Sequence, residues 1–133
     1  VRPIICIGGG SGLAPMVSIL RGISQRKSDK TKPVLYYGAR QEKDVVDQEY
    51  LATIPGFNPE NQYIPIVSEP EESDTWAGAT GLVHEFLKSH LNETTQDSDF
   101  YMAGPPPMVD AVRRHLVLDR GIPVDRLYYD RFF

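Results

Sequence analysis

The chain has a single cysteine, Cys6, in 133 residues, which excludes an internal disulfide and any four-cysteine iron–sulfur cluster held by this chain alone. A reducing cytoplasm is the expected setting. Basic residues are outnumbered: 14 Lys and Arg against 18 Asp and Glu give a net charge of −4, and no basic block interrupts the sequence. Electrostatic binding to nucleic-acid phosphates therefore has no support, and the expected partners are small anions or other proteins. No apolar stretch approaches the ~20 residues of a membrane span, and the first residues lack the charged-then-apolar order of a signal peptide. No membrane partner is expected. The three histidines, His84, His90 and His115, are scattered without metal-ligand spacing, so no metal site is predicted. An initiator Met is also missing; Val1 runs straight into a strand pattern, and the chain is expected to be an excised piece of a longer polypeptide.

What is present suits one globular domain, with 41% hydrophobic and 10% aromatic residues. Short β-branched or aromatic runs recur at Pro3 to Ile7, Pro33 to Tyr37, Tyr63 to Val67, Phe100 to Ala103 and Arg126 to Tyr129, and these predict five strands. Helical spacing falls between them. Leu13, Met16, Val17 and Leu20 share one face, as do Val109, Val112 and Leu116, while Val45 to Ile54 and Gly81 to Leu91 carry weaker patterns. Strand alternating with helix predicts an α/β fold, a doubly wound five-stranded parallel sheet whose ligands sit beyond the carboxyl ends of the strands. Ser24 to Lys32 and Asn92 to Asp99 read as surface connections.

The segment Ile7-Gly8-Gly9-Gly10-Ser11-Gly12-Leu13-Ala14-Pro15 joins the first strand to the first helix through a loop nearly free of side chains. Such a loop lets backbone amides approach a pyrophosphate, and the following helix aims the positive end of its dipole at the anion. Pro15 fits the first helical turn, which has no need of its amide hydrogen. Leu13 stands where the third glycine of Gly-x-Gly-x-x-Gly would be, so a tight helix–strand turn with no ligand is the competing account. A second segment, Tyr101-Met102-Ala103-Gly104-Pro105-Pro106-Pro107-Met108, ends a strand in a glycine and three prolines, with a helix beginning near Pro106. Its rigid path suits a flat wall of Ala103-Gly104 backbone against a planar ring.

Taken in order, Gly8 to Pro15, Tyr37-Gly38-Ala39-Arg40, Trp76-x-Gly78-x-x-Gly81 and Ala103-Gly104-Pro105-Pro106-Pro107-Met108 resemble the nicotinamide-nucleotide domain of the ferredoxin-NADP reductase superfamily. The resemblance covers nearly the whole chain and is nearest to the reductase components of bacterial aromatic-ring monooxygenases of the toluene and phenol type. It implies that residues 1–133 are an NAD(P)H-binding domain that passes hydride to FAD on a neighbouring flavin-binding domain. Electrons then move through a 2Fe-2S ferredoxin domain of the same polypeptide to an oxygenase or its ferredoxin. The pyrophosphate is expected at Gly9, Gly10, Ser11 and Gly12, and the nicotinamide beside Ala103, Gly104 and Pro105. Members usually carry a cysteine where this chain has Ala103, so no catalytic side chain is expected there; Cys6 is predicted to be a small buried hydrophobe. Adenosine is expected between Gly38 and Asp44: Arg40 suits a 2′-phosphate, whereas Glu42 or Asp44 suits a free 2′-hydroxyl, and the acidic neighbours favour NADH. Val67 to Pro70 borders the expected crevice, with Glu69, Glu71, Glu72 and Asp74 read as a solvated acidic run. Trp76, Gly78 and Gly81 are expected to anchor that loop. Terminal aromatics of the superfamily lie near the flavin, which implies the same for Phe132 or Phe133, with packing of a strand end as the alternative. Two other functions stay open: an NADPH-dependent flavoprotein reductase with another acceptor, and a non-catalytic nucleotide sensor.

Overall fold

The computed structural model describes residues 2–24, 32–71, 75–91 and 93–131. The β-branched run near the start forms β1 (Ile4–Gly9), and period-two alternation divides it between two layers. Ile4 and Cys6 pack in one layer, Ile5 and Ile7 in the other. A 3-10 turn over Gly10–Gly12 leads into α1 (Leu13–Ser24), which buries Met16, Val17, Leu20 and Ile23 on its 3.6-residue stripe. After β2 (Val34–Ala39) come two single-turn helices, α2 (Gln48–Leu51) and α3 (Pro59–Gln62), then β3 (Tyr63–Val67) and β4 (Ala79–Thr80). The chain continues through α4 (Val83–His90), β5 (Asp99–Gly104), α5 (Pro106–Arg114) and β6 (Leu127–Arg131).

The strands make one parallel sheet of six, in the order β4-β3-β2-β1-β5-β6. Sequence pattern predicts five, and the difference is β4. Two residues are too few for alternation to register, and β4 is held by its neighbours instead. Ala79 and Thr80 pair with Ile66 and Val67, and the Trp76 indole N–H donates to the Ala79 carbonyl at 2.9 Å. The Trp76 ring lies on Gly78, where a Cβ would come within 2.5 Å of it. Strand ends also run past the apolar pattern: Gly8 and Gly9 pair with Tyr37 and Gly38, and Gly8 with Ala103. A ladder needs only backbone groups, so glycine can extend a strand that its side chains do not announce.

The helix expected over Val45 to Ile54 contracts to α2, because Val45 is extended and the Val46 carbonyl accepts a hydrogen bond from the Tyr63 hydroxyl at 3.1 Å. The loop before β3 is pinned by Gln62, which is buried and fully used. Its Oε1 accepts from the Asn58 amide at 2.7 Å and its Nε2 donates to the Pro33 carbonyl at 2.9 Å. At the far end, α5 runs on into a π-helical turn over His115–Asp119. Arg120 Nε donates to His115 Nε2 at 3.1 Å and Arg120 reaches the Leu91 carbonyl at 2.7 Å, tying the ends of α4 and α5 together.

α1 covers one face of the sheet together with Leu51, Ile54 and Phe57; α4, α5 and the π-helical turn supply Val83, Leu87, Val112 and Leu116 to the other. From β1 the chain builds outward through β2, β3 and β4, then crosses back to place β5 on β1's other side. The winding reverses between β1 and β5, the place where open α/β sheets leave a crevice beyond their carboxyl ends.

Candidate functional site

Two strand-to-helix junctions meet at this reversal. In the first, Gly10 takes φ +51°, a left-handed conformation that suits glycine, and its carbonyl accepts from the Tyr37 hydroxyl at 3.1 Å. Gly12 has the tightest surroundings, since a Cβ there would strike the Ala103 carbonyl. The close helix–strand approach thus falls on Gly12, while Leu13, at the expected third-glycine position, packs against the core. The first turn of α1 carries no acidic residue to cancel the positive end of its dipole. Ser11 lies in the turn, and only its backbone is described.

The second junction is built differently. Pro105, Pro106 and Pro107 have no amide hydrogen, and the next two amides, of Met108 and Val109, both donate to the Pro105 carbonyl at 3.1 Å. This helix start offers no spare donor from Pro105 through Val109. What it offers is Met108. A Cβ on Gly9 would lie 2.7 Å from the Met108 sulfur, one on Gly104 2.7 Å from its methyl, and one on Gly38 3.7 Å from the sulfur. One thioether therefore rests on the ends of β1, β2 and β5, where glycine leaves room for it.

Between the junctions and the end of β3 opens a cavity of about 450 Å3, lined by Gly9, Gly10, Gly38, Arg40, Asp44, Ser68, Val83, Pro105 and Met108 among others. Of the residues expected from sequence, Gly9, Gly10, Arg40 and Pro105 line it; Gly104 abuts Gly9, and Gly12 abuts Ala103 and Gly104. Ala103 faces the α1 layer, 1% exposed, and lines a separate hollow of about 360 Å3 with Pro15, Met16 and the stacked rings of Tyr101 and Tyr128, 4.8 Å apart. Glu42 stands outside the cavity and accepts from the Thr75 hydroxyl at 3.2 Å. Phe132, Phe133, Glu72 and Asp74 lie outside the described residues.

The acidic run at the rim is exposed at Glu69 and Glu71, as expected, but both are paired. Glu69, expected in a solvated acidic run, accepts from both Nε and an Nη of Arg40 at 3.3 and 3.2 Å, and Gln41 donates to Glu71 at 2.8 Å. The amides of Ser68 and Glu69 donate to the carbonyls of Ala39 and Arg40, which carries the β2–β3 ladder beyond the strands and sets the Arg40–Glu69 pair side by side. Both side chains are well exposed, at 80% and 60%, so the pair sets charge at the rim and adds little to stability. Burial first, and the Asp44 carboxylate second, push the Tyr37 hydroxyl above its ordinary pKa, keeping it a neutral donor to Gly10.

Among the described residues no cluster of three or more His, Cys, Asp or Glu is arranged to hold a metal. Cys6 is fully buried and burial pushes its thiol up to about 12, so it is neither nucleophile nor ligand at neutral pH. The uncancelled positive end of α1 beside the cavity favours negative charge there. Met108, Tyr37 and Val83 are cavity or turn residues whose roles the sequence pattern does not reveal; each directly precedes, follows or packs on a glycine of the motifs.

The description "oxidoreductase NAD-binding domain" matches residues 6–114 of this chain. The chain is 39% identical over a 140-residue alignment to the ferredoxin–NAD(P)(+) reductase CarAd of Metapseudomonas resinovorans, covering 99% of this chain and 38% of that protein. It is 33% identical to the xylene/toluene monooxygenase electron transfer component XylA of Pseudomonas putida, covering 98% and 36%. Among solved structures, the ferredoxin reductase in carbazole 1,9a-dioxygenase superposes with a TM-score of 0.82 at 32% identity, covering 99% of this chain and 38% of that one. The chain thus spans somewhat over a third of the length of these relatives. Among the described residues, no helix is long and apolar enough to cross a membrane.

Proposed function

Because this chain belongs to the oxidoreductase NAD-binding domain family, the nicotinamide-nucleotide unit of ferredoxin-NADP reductase-like proteins, we propose that residues 1–133 bind NADH and present its nicotinamide to a flavin carried elsewhere in a longer reductase. The observation that carries this is the first junction: backbone nearly free of side chains from Gly9 to Gly12 at the uncancelled positive end of α1, beside the 450 Å3 cavity. The pyrophosphate lies on that turn, and the cavity toward Arg40 takes the adenosine half. Pro105, fixed by its ring, borders the same space and orients the other half.

The preference for NADH rests on Glu69. Arg40 is already satisfied by that carboxylate, and a 2′-phosphate would have to displace it while facing Asp44 across the cavity. A free 2′-hydroxyl meets no such opposition and can donate to either acid. FAD on a neighbouring domain supplies the hydride-accepting ring, and a 2Fe-2S centre on another domain hands electrons singly to an oxygenase or its ferredoxin. The cluster has no place in this chain, whose one thiol is buried. Binding and orientation are what these residues contribute.

Calorimetry on the chain tests the proposal. NADH is expected to bind at least about ten-fold more tightly than NADPH, the effect of about 1.4 kcal/mol of charge discrimination, and Glu69→Gln is expected to narrow that ratio. Tighter NADPH binding overturns the coenzyme assignment, and no heat with either coenzyme overturns the site.

A further inference from the structure

Of the three methionines in the sequence, Met16 and Met102 are 1% exposed in the core, whereas Met108 is half-buried and lines the cavity. Only Met108 is open to a small solute entering the site. Its sulfur and methyl lie over Gly9 and Gly104 so closely that one added carbon on either glycine would come within 2.7 Å of them. The helix that carries it begins with Pro106 and Pro107, and its own amide is held by the Pro105 carbonyl at 3.1 Å, which fixes the backbone from which the side chain reaches the cavity.

We infer that Met108 is a reversible oxidation site that closes the coenzyme cavity, a role that rests on the function proposed above for that cavity. The oxidant is a peroxide. The sulfur lone pair attacks one peroxide oxygen, the O–O bond breaks, an S–O bond forms, and the second oxygen leaves as water; sulfur loses two electrons and the peroxide gains them. The new oxygen has least room toward Gly9 and Gly104, over which the thioether lies so closely that an added Cβ would come within 2.7 Å of it. It therefore projects into the cavity and sets a strongly negative S–O dipole where the coenzyme's pyrophosphate and ribose pass. An apolar wall becomes a polar, anion-repelling one, and the reduced nucleotide is shut out until a methionine sulfoxide reductase, drawing two electrons and two protons from a dithiol that becomes a disulfide, removes the oxygen as water. Bound coenzyme covers Met108 and so protects the site while it is occupied.

The test treats the full chain with dilute hydrogen peroxide, with and without saturating ADP-ribose, then removes the peroxide, locates added oxygen by peptide mass spectrometry and measures NADH affinity. Oxidation is expected first at Met108, slowed at least about ten-fold by ADP-ribose, with an affinity loss of ten-fold or more that methionine sulfoxide reductase restores. Met108→Leu, which keeps the volume, is expected to bind NADH about three-fold more weakly, and peroxide is expected to change its affinity less than two-fold. Unchanged affinity in chain oxidised at Met108, an equal loss in peroxide-treated Met108→Leu, or faster oxidation of Met16 or Met102 overturns the inference and leaves the coenzyme site standing. Failure of untreated chain to bind NADH overturns both.

Discussion

The two junctions at the centre of the sheet do opposite work with opposite chemistry. At β1–α1, four residues from Gly9 to Gly12 carry almost no side chain, and the helix behind them has no acid in its first turn. At β5–α5 three successive prolines remove donors, and the next two amides are consumed by the Pro105 carbonyl. Both are strand-to-helix turns beside one cavity, yet the first presents proline-free backbone from Gly10 to Gly12, with the Leu13 amide going to the Gly10 carbonyl, and the second is a stiff apolar wall topped by Met108. A helix start suits an anion when its amides are unspent; the dipole alone does not make a site. On the function proposed above, the same contrast lets one side of the crevice hold the charged middle of a dinucleotide and the other guide a flat ring.

The largest effect is expected from breaking the glycine junction. Gly12→Ala drives a Cβ into the Ala103 carbonyl, and since that is backbone, α1 must shift from β5. A loss of about 3 kcal/mol or more in urea denaturation is expected, by analogy with severe overpacking, together with loss of NADH binding. Retention of both by Gly12→Ala refutes the close-packing role. Replacing Pro106 and Pro107 together by Ala attacks the other junction, whose contribution is stiffness. Stability is expected to fall by about 1–2 kcal/mol through a freer unfolded chain, with NADH affinity changed less than two-fold. An affinity loss matching that of Gly12→Ala would make both junctions coenzyme binders and erase the contrast.

Tyr37→Phe probes the strut beneath the glycine turn by removing the donor to Gly10, at an expected cost of about 1 kcal/mol in thermal or urea unfolding. The sign of its pH dependence follows from its raised pKa. A tyrosine whose folded pKa lies above its unfolded value, near 10, contributes fully below about pH 10 and loses that contribution as pH rises through the folded pKa. The stability gap between native chain and Tyr37→Phe is therefore expected to be constant from pH 7 to 9 and to shrink in stronger alkali; shrinkage already at pH 8 contradicts the assignment. The smallest effect separates the helix from its turn. Gly22 is exposed on α1, and a Cβ there would have nothing within 4 Å, so Ala should be accepted with a gain of about 0.5–1 kcal/mol and no change in affinity.

Much of this was legible in the sequence because period-two and 3.6-residue spacing report burial directly. The five strand runs, the Met16–Leu20 and Val109–Leu116 stripes and the two junction motifs all lie where that spacing puts them. What spacing does not encode is pairing set by neighbours. β4 exists because β3 and Trp76 hold two residues in line, and Val45 to Ile54 loses most of its helix to a hydrogen bond from Tyr63. In the site, Arg40 and Glu69 are 29 residues apart and meet only because β2 and β3 end together. Ala103 turned toward the α1 layer for a comparable reason: alternation along β5 fixes its side, and a motif read as a string has no sides.

The central claim is that coenzyme rests on the amides of the glycine turn and not on the start of the proline-led helix. Titrating isotope-labelled chain with NADH and following backbone amide chemical shifts tests it most directly. The largest shifts are predicted at Gly10, Ser11 and Gly12, with the Leu13 amide, already bound to the Gly10 carbonyl, and the Val109 amide, already bound to the Pro105 carbonyl, moving less. Large shifts at Met108 and Val109 with a silent glycine turn would contradict it.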